Sequence, residues 1–105
     1  MDKARISRVL RFGRRFFVPG MRISAMRSVN PRARVTVIVP KTSDKRAVVR
    51  NKLRRRALEA MRPILPRFSV SVDVVVTIGK EATGWSFDDF RINVELLFKK
   101  ITQSI

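Results

Sequence analysis

The chain has 105 residues, 24 Lys+Arg against 8 Asp+Glu, a formal net charge of +16, 45% hydrophobic residues, and neither His nor Cys. That length fits a single domain over residues 1–105, and the apolar fraction supplies a modest core, which excludes wholesale disorder. The missing Cys and His remove disulfide scaffolds, thiolate metal sites, catalytic triads and the usual zinc ligands, and no run of about 18 apolar residues offers a membrane span.

Asp2 or Ser7 can cap a short helix that carries Ile6, Val9 and Leu10 and ends near Gly13. This N-terminal stretch lacks the continuous apolar segment and small-residue cleavage site of a signal peptide. Residues 15–18 (RFFV) read as a strand, followed by a Pro19-Gly20 turn. Of the adjacent Phe16 and Phe17, one must face inward, and the sequence leaves open which. Residues 21–26 (MRISAM) alternate apolar and polar, as a half-buried strand does. Asn30-Pro31 marks another turn, and the β-branched run 35–39 (VTVIV) stops at Pro40. Short connections predict that these three strands form an antiparallel meander.

Over residues 42–62 the period changes. Val49, Leu53, Ala57, Ala60 and Ile64 recur at helical spacing, with Ser43 or Asp44 as cap and Pro63 and Pro66 marking the end region. Residues 68–78 (FSVSVDVVVTI) return to strand character, and 79–84 form a loop. Ser86-x-x-Asp89 is a capping-box start for a helix with Phe90, Val94, Leu97, Phe98 and Ile101 on its apolar face. Asp88 and Asp89 suit that helix N-terminus, and Trp85 suits a packing anchor before it. The predicted order is α-β-β-β-α-β-α, an α+β single domain.

All the excess charge lies in residues 1–62; residues 63–105 are balanced, with five cations and five anions. A phosphate-facing part built onto a neutral packing part explains this asymmetry, and the preference for Arg over Lys favours bidentate phosphate contacts. On the helix at 42–62, Asn51, Arg55 and Arg62 lie opposite the apolar stripe, Arg50 and Arg54 flank one edge, and Lys52 and Arg56 flank the other. Like charges at i,i+4 destabilise an isolated helix, so this fan of cations points to an anionic ligand. Asn51, both donor and acceptor, suits a base edge or 2′-hydroxyl.

The span 45–60 (KRAVVRNKLRRRALEA) resembles the RNR motif of the bacterial ribonuclease P protein subunit, an A-V-x-R-N-x-x-K-R pattern on a helix. Residues 34–41 (RVTVIVPK) are similar to the strand and lysine that lead into it. Asp73-Val-Val-Val-Thr, the helix from Phe87, and Arg11-Phe-Gly-Arg-Arg-Phe extend the resemblance over nearly the whole chain. It implies an α/β sandwich with a four-stranded sheet and a left-handed β-α-β crossover, a fold also seen in one domain of a ribosomal small-subunit protein. It implies binding to the catalytic RNA and to the 5′ leader of precursor tRNA, promoting endonucleolytic removal of that leader. The RNA-binding set becomes Arg50, Asn51, Lys52, Arg54 and Arg55, with Lys41, Lys45 and Arg46 beside them. The leader cleft becomes Ile6, Leu10, Phe16, Phe17, Arg22 and Ser24. Ile6, Leu10 and Ser24 stand where the family usually has aromatic side chains. Leu58 stands where it has an Arg, with Arg56 as a possible substitute. The resemblance further implies a cytoplasmic monomer in a 1:1 complex with the RNA, no membrane partner, and magnesium held mainly by the RNA.

The acids are scattered and no glycine pattern cradles a phosphate, so no catalytic or metal-ligating residue is expected in the chain itself. A ribosomal or other structured-RNA-binding protein without a role in cleavage is the alternative reading of the same basic half.

Overall fold

The strand at residues 72–78 organises the molecule. Val72, Val74, Val75, Val76 and Ile78 are all buried, so both of its faces need cover and both of its edges need partners. In the computed structural model, which describes residues 1–68 and 70–104, it occupies the interior of a four-stranded sheet. The elements are α1 (Lys3–Phe12), β1 (Arg14–Val18), β2 (Met21–Arg27), β3 (Arg34–Ile38), α2 (Ala47–Met61), β4 (Val72–Ile78) and α3 (Phe87–Ser104). Short 3₁₀ turns lie at Leu65–Arg67 and Lys80–Gly84. This is the expected α-β-β-β-α-β-α order.

The strand order is β1-β2-β4-β3, with β1/β2 and β2/β4 antiparallel and β3/β4 parallel. The expected meander is therefore wrong at its third strand. The more apolar β4 takes the place beside β2, and β3 becomes an edge strand joined to β4 through the α2 crossover. The strand expected over 68–78 is also shorter. Pro66 sits in the turn at Leu65–Arg67, Phe68 packs edge-on against Phe98 at 5.2 Å, and β4 starts only at Val72. Ser69 lies outside the described residues.

One sheet face carries Met21, Ile23, Ala25, Val37, Val74, Val76 and Ile78 against Leu53, Ala57, Ala60 and Met61 of α2 and the five expected apolar residues of α3. Val49 is only half-buried, and Ile64 packs against the core from beyond the helix end. Ser86 and Asp89 form the capping box as predicted: the Ser86 N–H donates to Asp89 Oδ2 at 2.9 Å, and the Asp89 N–H donates to Ser86 Oγ at 3.2 Å. Trp85 meets Phe90 edge-on at 5.1 Å. It also closes over Gly20, whose φ of +98° and whose 2.6 Å gap from a hypothetical Cβ to Trp85 Cζ2 both require glycine.

α1 crosses β2 and β4 on the opposite face, where Val9 and Val75 are buried. Asp2 caps it by accepting from the Arg5 N–H at 2.8 Å. Asp73, fully buried, ties the layer together: it accepts from Arg5 Nε at 2.6 Å and from Arg34 Nε and Nη2, each at 2.8 Å. These guanidiniums, Arg34 foremost, hold the Asp73 carboxyl below its ordinary range although burial pushes the other way.

Candidate nucleic-acid interface

α2 starts later than its sequence suggests, and the difference shapes the site. Neither Ser43 nor Asp44 caps it. Ser43 Oγ donates instead to the Ile78 carbonyl at 2.7 Å, and Asp44 accepts from the Arg46 N–H at 2.9 Å, so the helix begins at Ala47. These two bonds seat the turn carrying Lys41, Lys45 and Arg46 at the end of the sheet where β3 and β4 finish. Arg46 also pairs with Asp44 through its side chain at 3.0 Å, which lowers the Asp44 pKa, first by that hydrogen bond. Arg50 reaches back to donate from Nη1 to the carbonyls of Asp44 and Lys45 at 3.0 and 2.8 Å. It braces the turn and does not project freely.

Asn51, Lys52, Arg54 and Arg55 are exposed, as are Lys41 and Lys45, and the side chains of these six have no hydrogen-bond or ion-pair partner among the described residues. Five uncompensated cations and one amide thus crowd the first turns of α2 and the turn before it. Arg56 shares its helix edge with Lys52, but it is engaged: its Nη1 donates to the Trp85 carbonyl at 3.3 Å. It cannot stand in for an Arg at the exposed Leu58, which lies about 200° around the helix.

The sheet register decides the cleft. Phe17 pairs with Arg22, Arg22 with Thr77 and Thr77 with Ile38, so these four share the α1 face. Phe16 shares its face with Ile23 and Val76 and packs on the core, whereas Phe17 is 74% exposed. Phe16 therefore faces the core layer of α2 and α3, whereas Phe17 and Arg22 face the other side of the sheet. Ser24 lies in the next row, buried beside α1, and Ile6 and Leu10 are half-buried on α1 itself. A groove of about 560 Å³ runs from Phe17 and Arg22 past the Pro19-Gly20 turn to Thr77, Gly79 and Glu81. It opens at the same sheet end as the α2 cations. Thr77 and Ile38 had no individual signal in the sequence; only their pairing with Arg22 identifies them as its neighbours. Phe12, also exposed, stands elsewhere on α1, with the guanidinium carbons of Arg8 and Arg11 at 5.8 and 5.4 Å from its ring centroid.

The arrangement can hold phosphates and stack a base, but it offers magnesium no ligand set. Among the described residues no three acidic side chains converge, and both Asp44 and Asp73 are already engaged by guanidiniums. No helix among the described residues is long and apolar enough to cross a membrane.

The ribonuclease P family profile matches residues 1–102. Among solved structures, the RNase P protein of Staphylococcus aureus is similar at a TM-score of 0.85 and 18% identity, covering 96% of this chain and 92% of that one. The RNase P protein of Thermotoga maritima is similar at 0.84 and 19%, covering 95% and 94%. No curated protein sequence shows a significant match.

Proposed function

Because the chain belongs to the ribonuclease P protein family, whose place is in an endoribonuclease complex with ribonuclease P RNA, we propose that it binds that catalytic RNA and the 5′ leader of precursor tRNA. The unpaired cations Lys41, Lys45, Lys52, Arg54 and Arg55, with Asn51, take the RNA backbone, while Arg46 and Arg50 hold their turn in shape. The leader lies along the open sheet face, with Phe17 as the stacking surface, Arg22 as a phosphate contact, and Ile6, Leu10 and Ser24 as its α1-side wall. The protein supplies charge and alignment. Cleavage, and the magnesium that assists it, belong to the RNA. The complex is 1:1 and cytoplasmic.

The observation that carries this reading is the convergence of five unpartnered cations with an aromatic-floored groove at one end of the sheet. Tagged protein recovered from cells under mild salt is expected to bring down ribonuclease P RNA in near-equimolar amount. Recovery of ribosomal RNA alone would overturn the proposal in favour of a structured-RNA binder without a role in cleavage.

A further inference from the structure

At the sheet end remote from the α2 turn, β2 runs out and β3 begins, and a second basic site forms there. A cavity of about 430 Å³ is lined by Arg5, Arg27, Ser28, Val29, Asn30 and Arg34. We propose that it binds one phosphate group of an RNA strand, independently of α2; the RNA assignment rests on the function proposed above.

Three guanidiniums from three elements meet at this cavity. Asp73 is fully buried beneath two of them, and its charge is divided between Arg5 and Arg34. Arg5 and Arg34 carry two positive charges against the single charge of Asp73, so this cluster keeps a positive excess of one, and Asp2, the α1 cap, is the other carboxylate whose field reaches Arg34. The donors are also fixed in advance. Arg34 spends two N–H groups on Asp73, and Arg5 spends one on Asp73 and one on the Arg27 carbonyl at 2.9 Å. A guanidinium has five N–H donors, so three on each remain, on side chains already held still. Ser28 Oγ accepts from the Asn30 N–H at 3.1 Å and from Asn30 Nδ2 at 3.4 Å, which leaves its own hydroxyl proton to donate. Preorganised forks around a pocket that already holds its counter-charge underneath suit an oxyanion such as a phosphate group. Asp73 and Thr77 lie four β4 residues apart, about 13 Å. A strand crossing the α1 face would thus be anchored at both ends.

The test is titration of the full chain with inorganic phosphate, and separately with a short single-stranded RNA, while the arginine Nε–Hε signals are followed by NMR. Sodium chloride at matched ionic strength is the control. Phosphate is expected to shift the Arg5 and Arg34 signals saturably, and a Ser28→Ala/Asn30→Ala variant is expected to weaken that binding about tenfold. Its unchanged amide spectrum elsewhere would show that the fold is intact. Arg5 and Arg34 shifts that merely track ionic strength would overturn the site, whatever α2 does. A phosphate response with no RNA response at these two signals, while Arg55 does respond to RNA, would overturn the RNA assignment and leave free phosphate as the ligand. Absence of any RNA response, at Arg55 included, would count against the proposed function and leave the phosphate site standing.

Discussion

Arg50 and Arg55 look equivalent in a basic helix, yet one is bound to the backbone of its own turn and the other meets only solvent. Arg55→Ala is therefore expected to lower the slope of log K against log salt for RNA binding by about one, with thermal stability unchanged. Arg50→Ala should reduce affinity and also loosen the 41–46 turn, seen as faster amide exchange there. The same separation of roles applies to the two phenylalanines. Phe17→Ala should weaken binding of leader-bearing tRNA by about 1–3 kcal/mol while leaving mature tRNA unaffected, in a direct affinity comparison. Phe16→Ala should instead lower stability, since that ring packs on the core. Asp73 supplies a pH test. Its carboxyl is lowered in the folded protein, so its stabilising contribution is complete above the ordinary carboxylate range and is lost as pH falls through the folded value. Denaturant unfolding between about pH 6 and pH 2 should show that acid-side loss in the native chain and a flatter profile in Asp73→Asn. Parallel profiles would mean that the Arg5–Asp73–Arg34 bridge adds nothing to folding.

At the scale of elements, legibility followed how local each determinant was. α1 and α3 carry their caps in the sequence: Asp2 bonds the Arg5 N–H, and Ser86 and Asp89 bond each other. Ser86→Ala should cost about 1 kcal/mol in equilibrium unfolding through loss of that cap. The start of α2 was not legible, because Ser43 answers to the carbonyl of Ile78, 35 residues away. The strand order was not legible either. Short loops argued for β2 beside β3, but burial on both faces of β4 outweighed chain proximity. The cleft depended on the same long-range pairing. Phe17 and Arg22 were candidates from sequence, but their shared face with Thr77 follows only from the β1-β2-β4 register.

For the molecule as a whole, the charge of +16 resolves into distinct duties. Arg5 and Arg34 share Asp73, Arg46 pairs with Asp44, Arg56 donates to the Trp85 carbonyl, and five cations without a side-chain partner among the described residues, Lys41, Lys45, Lys52, Arg54 and Arg55, gather along α2 and the turn before it. The neutral C-terminal part supplies β4 and α3, which pack the core. The chain belongs to the ribonuclease P protein family, which implies ribonuclease P RNA as its partner. The most direct test of that role is reconstitution: precursor-tRNA cleavage by the cognate ribonuclease P RNA at limiting magnesium, with and without the protein. The protein is expected to raise the rate and to be inert without the RNA. An unchanged rate, or cleavage by the protein alone, would contradict the account.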